Sequence, residues 1–143
     1  MIAYAFSILI LVVSIALSMP SWNQKYDSND MEIIASSFVR YQNAVTKYYE
    51  DNPGTTGSIA DASLNLMPGY VPLGTWQNRI SGGILYVYAA DGQDMVAPAI
   101  VEMKFSKRVG VNTSGRLVSP KYGDLGVNLP AFISEGSIVT ICE

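Results

Sequence analysis

The residue types that most often carry out acid–base catalysis are scarce in this chain of 143 residues. Histidine is absent, which removes the commonest general base at neutral pH and the commonest zinc ligand. A nucleophilic serine would then need a lysine or carboxylate partner, and the nearest such pair is Ser106 and Lys107. Neighbouring side chains diverge on a helix and face opposite sides on a strand, so this pair cannot act together. The sequence does not predict an enzyme.

The carboxylates do not predict a metal or cofactor site. Those that could pair lie at the end of a predicted helix or in and near predicted turns: Glu50, Asp51, Asp61, Asp91 and Asp94. Solvated carboxylates are common in turns, whereas a catalytic dyad needs two of them held together. Residues 91–94 lack the repeated oxygen ligands of a calcium-binding loop, and no glycine-rich phosphate loop occurs. We expect no metal, nucleotide or other cofactor.

Charge and composition exclude further classes of protein. The 9 basic and 12 acidic side chains leave a net charge of −3 without a run of either sign, so nucleic-acid binding is not expected. The chain is 49% hydrophobic and 15% charged, which is typical of a packed domain. Cys142 is the only cysteine, so no intrachain disulfide can form. We interpret it as an apolar strand residue, although an oxidising compartment would let it link two chains.

An uninterrupted apolar segment covers residues 2–19 and contains no charge, proline or glycine. At about 1.5 Å per residue a helix of this length spans about 27 Å, close to the thickness of a bilayer core. Tyr4 and Trp22 stand near its two ends, where amphipathic rings lie at the level of the lipid headgroups. The segment predicts a membrane-spanning anchor, with Tyr4 and Trp22 as membrane-interface residues.

The flanks of this segment indicate its orientation. Lys25 is the first charged side chain after it and acidic residues follow, so no positive excess would keep this flank in the cytoplasm. We expect a single pass through the membrane, with the N-terminus inside and the C-terminal domain outside the cytoplasm. Cleavage as a signal peptide is the alternative, because residues 16–18 read Ala-Leu-Ser. The missing basic n-region and the length of the apolar run favour a retained anchor.

An amphipathic helix is predicted over residues 30–51. Asn29 and Glu32 have the spacing of a capping box. Apolar side chains then recur at intervals of four and three, which fits one helical face: Ile34, Phe38, Tyr41, Val45 and Tyr48. The Asn-Pro-Gly sequence at 52–54 ends the helix.

The rest of the chain predicts a short helix followed by strands. The short helix begins with Ser58 as its cap and includes Leu66, and a loop follows. Strand signals occur at 84–88, in a hairpin made by 108–111 and 115–118, and at 137–142. Residues 95–107 fit either a helix or a strand, and we favour the helix.

This order of elements predicts an α+β fold, because helices precede strands without strand–helix alternation. After the N-terminal transmembrane helix, the amphipathic helix should pack on a small antiparallel sheet. The predicted organisation is an anchor at 1–20, a linker at 21–29 and an extracytoplasmic domain at 30–143.

The aromatic residues are divided between the predicted core and predicted loops. Tyr41, Tyr48 and Tyr86 fall on faces that should be buried. Tyr70, Trp76 and Tyr122 fall in loops, and such rings are enriched in protein interfaces. These three are the candidate contacts for a protein partner.

Four segments carry a resemblance to a known family: YAF at 4–6, VRYQNAVTKYYEDNPG at 39–54, GSI at 57–59 and LPAFISEGSIV at 129–139. With them the chain resembles the PilM family, encoded with plasmid-type thin (type IVb) pili. More distantly it resembles type IV pilins and pseudopilins, which share an apolar start, a tyrosine-rich helix and an antiparallel sheet. It departs from pilins at Ala5, where they carry a glutamate, so processing into a filament subunit is not expected.

The resemblance implies a component of the thin-pilus assembly machinery, in the basal body or the apparatus that moves pilin. It also implies a location in the bacterial inner membrane, with the C-terminal domain in the periplasm. It implies other pilus-assembly proteins and pilin as partners, with the bilayer contacted through residues 2–19. One alternative is a minor pilin that enters the filament. The other is an anchored periplasmic hydrolase, which the residues favour least.

Overall fold

The computed structural model describes residues 28–90, 92–103 and 108–142. Its helices and strands, in chain order, are α1 (Ser28–Asp51), β1 (Gln77–Ser81), β2 (Ile84–Ala89), α2 (Val96–Glu102), β3 (Val109–Thr113), β4 (Arg116–Ser119), β5 (Gly123–Asn128) and β6 (Ile138–Cys142). Within these ranges, no helix combines the length and the apolar character that a membrane span requires. The expected anchor, with Tyr4, Trp22 and the 16–18 motif, lies outside the described residues.

Helix α1 uses the apolar face that its sequence predicts. Phe38, Tyr41 and Val45 are fully or almost fully buried, while Ile34 and Tyr48 pack at the margins of the same core. The helix begins at Ser28, so Asn29 lies inside the first turn and is not the cap. It ends at Asp51, as predicted from the Asn-Pro-Gly sequence that follows.

The strands form one six-stranded antiparallel sheet in the order β1-β2-β6-β3-β4-β5. Strand β6 comes last in the chain but lies between β2 and β3. Side chains alternate between the two faces, as the pleat requires. Leu85, Val87 and Ile138 face α1, whereas Tyr86 and Val139 face the other way.

The sheet face opposite α1 is covered by the segment 129–137. Ile133 is buried there and Phe132 packs edge-on against Tyr86, with ring centroids 6.0 Å apart. Asn112 fixes the segment, because its side-chain amide donates to the carbonyl oxygen of Ile133 at 2.8 Å. Both faces of the central strands are therefore protected from water.

Most of the predicted elements are confirmed, including the α+β class. The strand at 84–88, the hairpin and the final strand are present, and α2 confirms the helix within 95–107; residues 104–107 are not described. The predicted helix from Ser58 to Leu66 is wrong, since only a single 3₁₀ turn forms at Asp61–Ser63. Strands β1 and β5 were not predicted, because β1 has one apolar side chain, Ile80, and β5 contains two glycines.

The two outer strands are poor templates for adding another strand. Gly57 forms an isolated bridge with Ile80 and so occupies part of the free edge of β1. In β5, Gly123 and Gly126 have φ values of 73° and 75°, and the pairing with β4 shifts register. Irregular, bent edges of this kind disfavour edge-to-edge association.

The close approach of β3 to β4 makes a prediction about Gly110. A Cβ there would lie 2.6 Å from the carbonyl oxygen of Val118, a backbone atom that cannot rotate away. Gly110→Ala should lower the free energy of unfolding by about 1–3 kcal/mol, the usual cost of overpacking. The measurement is urea unfolding of the full chain, followed by tryptophan fluorescence.

The matched control is Thr113→Ala on the same strand, where the side chain is exposed. Its effect should stay below about 1 kcal/mol. Equal unfolding midpoints for the two variants would contradict the predicted clash.

Candidate functional site: a groove beside the first helix

A loop of residues 64–76, here called the Tyr70 loop, runs along the N-terminal half of α1. Leu64 is buried and Leu66 packs against the core, which holds the start of the loop. A turn follows, closed by a hydrogen bond from the Tyr70 amide to the Met67 carbonyl at 2.9 Å. Pro68 and Gly69 occupy its centre, and Gly69 has the positive φ, 81°, that a type II turn needs at this position.

The hydroxyl of Tyr70 joins this loop to α1. It donates to the carbonyl oxygen of Ser37 at 3.1 Å and accepts from the indole nitrogen of Trp76 at 3.0 Å. The Trp76 ring packs edge-on against Phe38, with ring centroids 5.3 Å apart. A Cβ at Gly74 would lie 2.5 Å from the Trp76 ring, so glycine allows the loop to pass this close.

A buried polar network fixes the chain just before this loop. Asn78 in β1 accepts from the amide of Ile59 at 2.7 Å and donates to its carbonyl at 2.9 Å. The same side-chain amide donates to the Tyr41 hydroxyl, which in turn donates to Asp61 at 3.0 Å. Burial raises the pKa of Tyr41 to about 12; the Asn78 bond opposes the shift and Asp61 adds to it.

The fixed Tyr70 loop carries apolar side chains that point into solvent. Met67, Val71 and Leu73 are 68%, 69% and 48% exposed, and Ile33 on α1 is 59% exposed. They are the large exposed hydrophobic residues of the described chain. Single exposed apolar residues are ordinary, but several grouped around a concave surface are typical of interaction sites.

Ile33, Val71 and Leu73 line one groove of about 740 Å³, here called the α1 groove. It lies between the N-terminal half of α1 and the Tyr70 loop, and Glu102 at the end of α2 also lines it. Glu32 and Arg40 on α1 complete its charged lining. Within the described residues, neither these carboxylates nor Arg40 forms an ion pair.

The three aromatic residues predicted as partner contacts do not share a surface. Tyr70 is half-buried and lines the α1 groove. Trp76 lies in a loop as expected, but the residue is only 9% exposed and belongs to the core. Tyr122 lies in the β4–β5 connection, at the opposite edge of the sheet from β1. Only Tyr70 therefore lies at the groove.

The apolar residues that surround Tyr70 were not predicted from the sequence as contact residues. Val71 and Leu73 flank Pro72 in a segment with no periodic pattern, and Ile33 lies beside Ile34, which is partly buried. The sequence feature that could have predicted them is the group of apolar residues in a turn-rich loop, where polar side chains are usual.

The described residues do not form a reactive cluster. Across 28–90, 92–103 and 108–142, no three side chains of the metal-binding types lie together. Cys142 is buried at the end of β6, as expected for an apolar strand residue, and lies 3.4 Å from the Gln42 amide nitrogen. The Ser106 and Lys107 pair lies outside the described residues.

Fold and groove together define a small α+β domain that presents an apolar, charge-lined groove. The family model of PilM matches residues 6–141 of the chain. The chain belongs to the PilM family.

Two solved structures are similar to this chain. A protein assigned as PilM from Escherichia coli has a TM-score of 0.64 and 22% sequence identity, over 87% of this chain and 99% of that one. A protein assigned as PilM from Pseudomonas aeruginosa has a TM-score of 0.42 and 26% identity, over 78% of this chain and 95% of that one. The first supports the fold described above. No protein of curated function matches the sequence.

The hydrogen bonds of Tyr70 predict how the loop is held. Tyr70→Phe should lower the free energy of unfolding by about 1–3 kcal/mol, because the Trp76 indole loses its acceptor in a half-buried site. Amide hydrogen exchange at 66–73 should become faster. The control is Tyr48→Phe, which removes a hydroxyl with no hydrogen bond among the described residues. Equal exchange in the two variants would show that the hydroxyl does not hold the loop.

The raised pKa of Tyr41 predicts a loss of stability in alkali. Its pKa is about 12 in the folded chain, against 10.0 for a free tyrosine, so the folded state binds this proton more tightly. The resulting stabilisation is complete below pH 10 and is lost as the pH rises from 10 to 12. The difference in unfolding free energy between wild type and Tyr41→Phe should therefore narrow between pH 10 and pH 12. A difference that stays constant would contradict the shift.

Proposed function

We propose that this protein is an inner-membrane component of the type IV (thin) pilus assembly machinery, acting through protein–protein contacts in the basal body or the pilin transport apparatus. Membership of the PilM family, matched over residues 6–141, is the observation that carries the proposal. That membership indicates a pilus-related role. The inner-membrane location and the action through protein–protein contacts are proposed in addition to that role.

The α1 groove supports a role in binding another protein. Its apolar side chains stand on a loop that is already fixed by Tyr70 and by buried leucines. A partner would not have to order this loop, and loop ordering is one of the main free-energy costs of association. A groove of about 740 Å³ is also large enough to take several side chains.

The sequence before α1 supports a membrane location. The eight residues between the apolar segment 2–19 and Ser28 could extend over at most about 28 Å. On this proposal the domain would stay close to the bilayer, where the other membrane-bound assembly proteins are also held.

Deletion and complementation test this function. Removing the gene from a strain that makes thin pili should abolish piliation by electron microscopy, and the full chain should restore it. The protein should stay in the membrane pellet after carbonate extraction. Normal pili in the deletion strain would contradict the proposal. Release of the protein into the soluble fraction would contradict the membrane anchor. Recovery of the protein in sheared pili would favour a minor pilin.

A further inference from the structure

We propose that the α1 groove binds an apolar segment of a partner protein that carries a lysine or arginine, which pairs with Glu32 or Glu102 on the lining. This inference rests on the proposed function, since it names the kind of segment that the assembly partner presents.

The apolar part of the groove requires an apolar occupant. Ile33 and Val71 each expose more than half of their side-chain surface on its lining, and Leu73 exposes nearly half. Covering such surface is favourable by roughly 25 cal/mol for each Å² removed from water. Other apolar residues of the same loop, Leu64 and Leu66, pack inwards, so the outward set is distinct from the core set.

The charged part of the groove determines which apolar segment fits. Glu32 and Glu102 come from two different helices and line the same groove, and both are exposed. Neither has an ion-pair partner among the described residues. The lining thus carries two carboxylates and one guanidinium, that of Arg40, which favours a cationic segment over a neutral or acidic one.

Opposite charges lie at different positions along the α1 side of the groove, and they determine the direction in which the segment binds. Arg40 lies eight residues after Glu32 on α1, about 12 Å further along the helix axis. On the α1 wall of the groove, the carboxylate of Glu32 and the guanidinium of Arg40 therefore lie at separate positions. A segment bound with its basic residue at Arg40 would meet repulsion, so we expect a single orientation.

The same charges argue against the bilayer as the occupant. Asp30 is exposed on the first turn of α1, close to Glu32 in the chain, and Glu102 stands on the lining itself. Bacterial membranes and their anionic lipids attract basic surfaces and repel acidic ones. The surface is also concave, whereas insertion into lipid uses a protruding apolar face.

Site-specific photocrosslinking in cells tests the inference with the full chain. Benzoylphenylalanine replaces Val71 in the groove or, as a control site, exposed Thr56 beyond the other end of α1. The strain makes thin pili, and crosslinked peptides are identified by mass spectrometry. We expect the Val71 site to give an adduct with a protein segment that is apolar and contains a lysine or arginine, and the Thr56 site to give none.

Charge reversal supplies the decisive comparison. Glu32→Lys or Glu102→Lys should each lower the yield of that adduct at least about threefold, as expected for the loss of one surface pair and the addition of repulsion. Glu50→Lys is the matched control, because it makes the same change on α1 about 27 Å away from Glu32. Replacing the basic residue of the adduct segment by glutamate should restore the yield in the Glu32→Lys variant and lower it in the wild type.

Three results would overturn the inference: adducts with phospholipid only, a partner segment without a basic residue, or yields that do not respond to the reversals at Glu32 and Glu102. Circular dichroism of each variant checks that the domain is folded. Piliation of the same strains separates the two proposals. If deletion abolishes pili but crosslinking fails, the inference about the α1 groove is wrong and the proposed function stands. If the adduct forms and depends on the charges, but the deletion strain still makes normal pili, the inference about the groove stands and the proposed function is wrong.

Discussion

The position of β6 at the centre of the sheet is the constraint on which the rest of the structure depends. It pairs with β2 on one side and β3 on the other, so the outer strands are connected only through it. All five of its residues are buried, because α1 covers one face and the segment 129–137 covers the other. Leu85 pairs with Cys142 across 57 positions of the chain, so the sheet depends on non-local contacts.

This arrangement leaves few surfaces for another protein. One face of the sheet is used by α1 and the other is largely used by the segment that Asn112 holds in place. The two outer edges of the sheet are irregular. Gly57 bridges to β1 at one edge, and two glycines with positive φ interrupt β5 at the other. The exposed apolar residues of the described chain are instead gathered where the Tyr70 loop meets α1.

The α1 groove connects the fold to the proposed role. Its walls are a long helix and a loop fixed by buried hydrogen bonds, so its shape does not depend on a partner. Its lining combines apolar surface, which supplies affinity, with charges at defined positions, which supply orientation. Such a site suits the proposed role of holding or guiding another component. Membership of the PilM family itself indicates a pilus-related role.

The sequence by itself determined the elements whose signals are local. The spacing of Phe38, Tyr41 and Val45 specified the buried face of α1, and the β-branched and aromatic residues of β2 specified a strand. The α+β class followed from the order of those elements. The family resemblance also came from the sequence, since it rests on short segments that can be recognised without a fold.

Only the tertiary structure decided which loop residues are buried and which are exposed. Trp76 and Val71 lie in the same loop. Trp76 is buried because its ring packs against Phe38 and its indole nitrogen donates to the Tyr70 hydroxyl, whereas Val71 remains exposed to solvent. Strand β1 forms in a polar sequence because Asn78 finds partners in Ile59 and Tyr41, which are distant in the chain. Burial of a polar or aromatic side chain depends on such partners, and their positions are not encoded in local spacing.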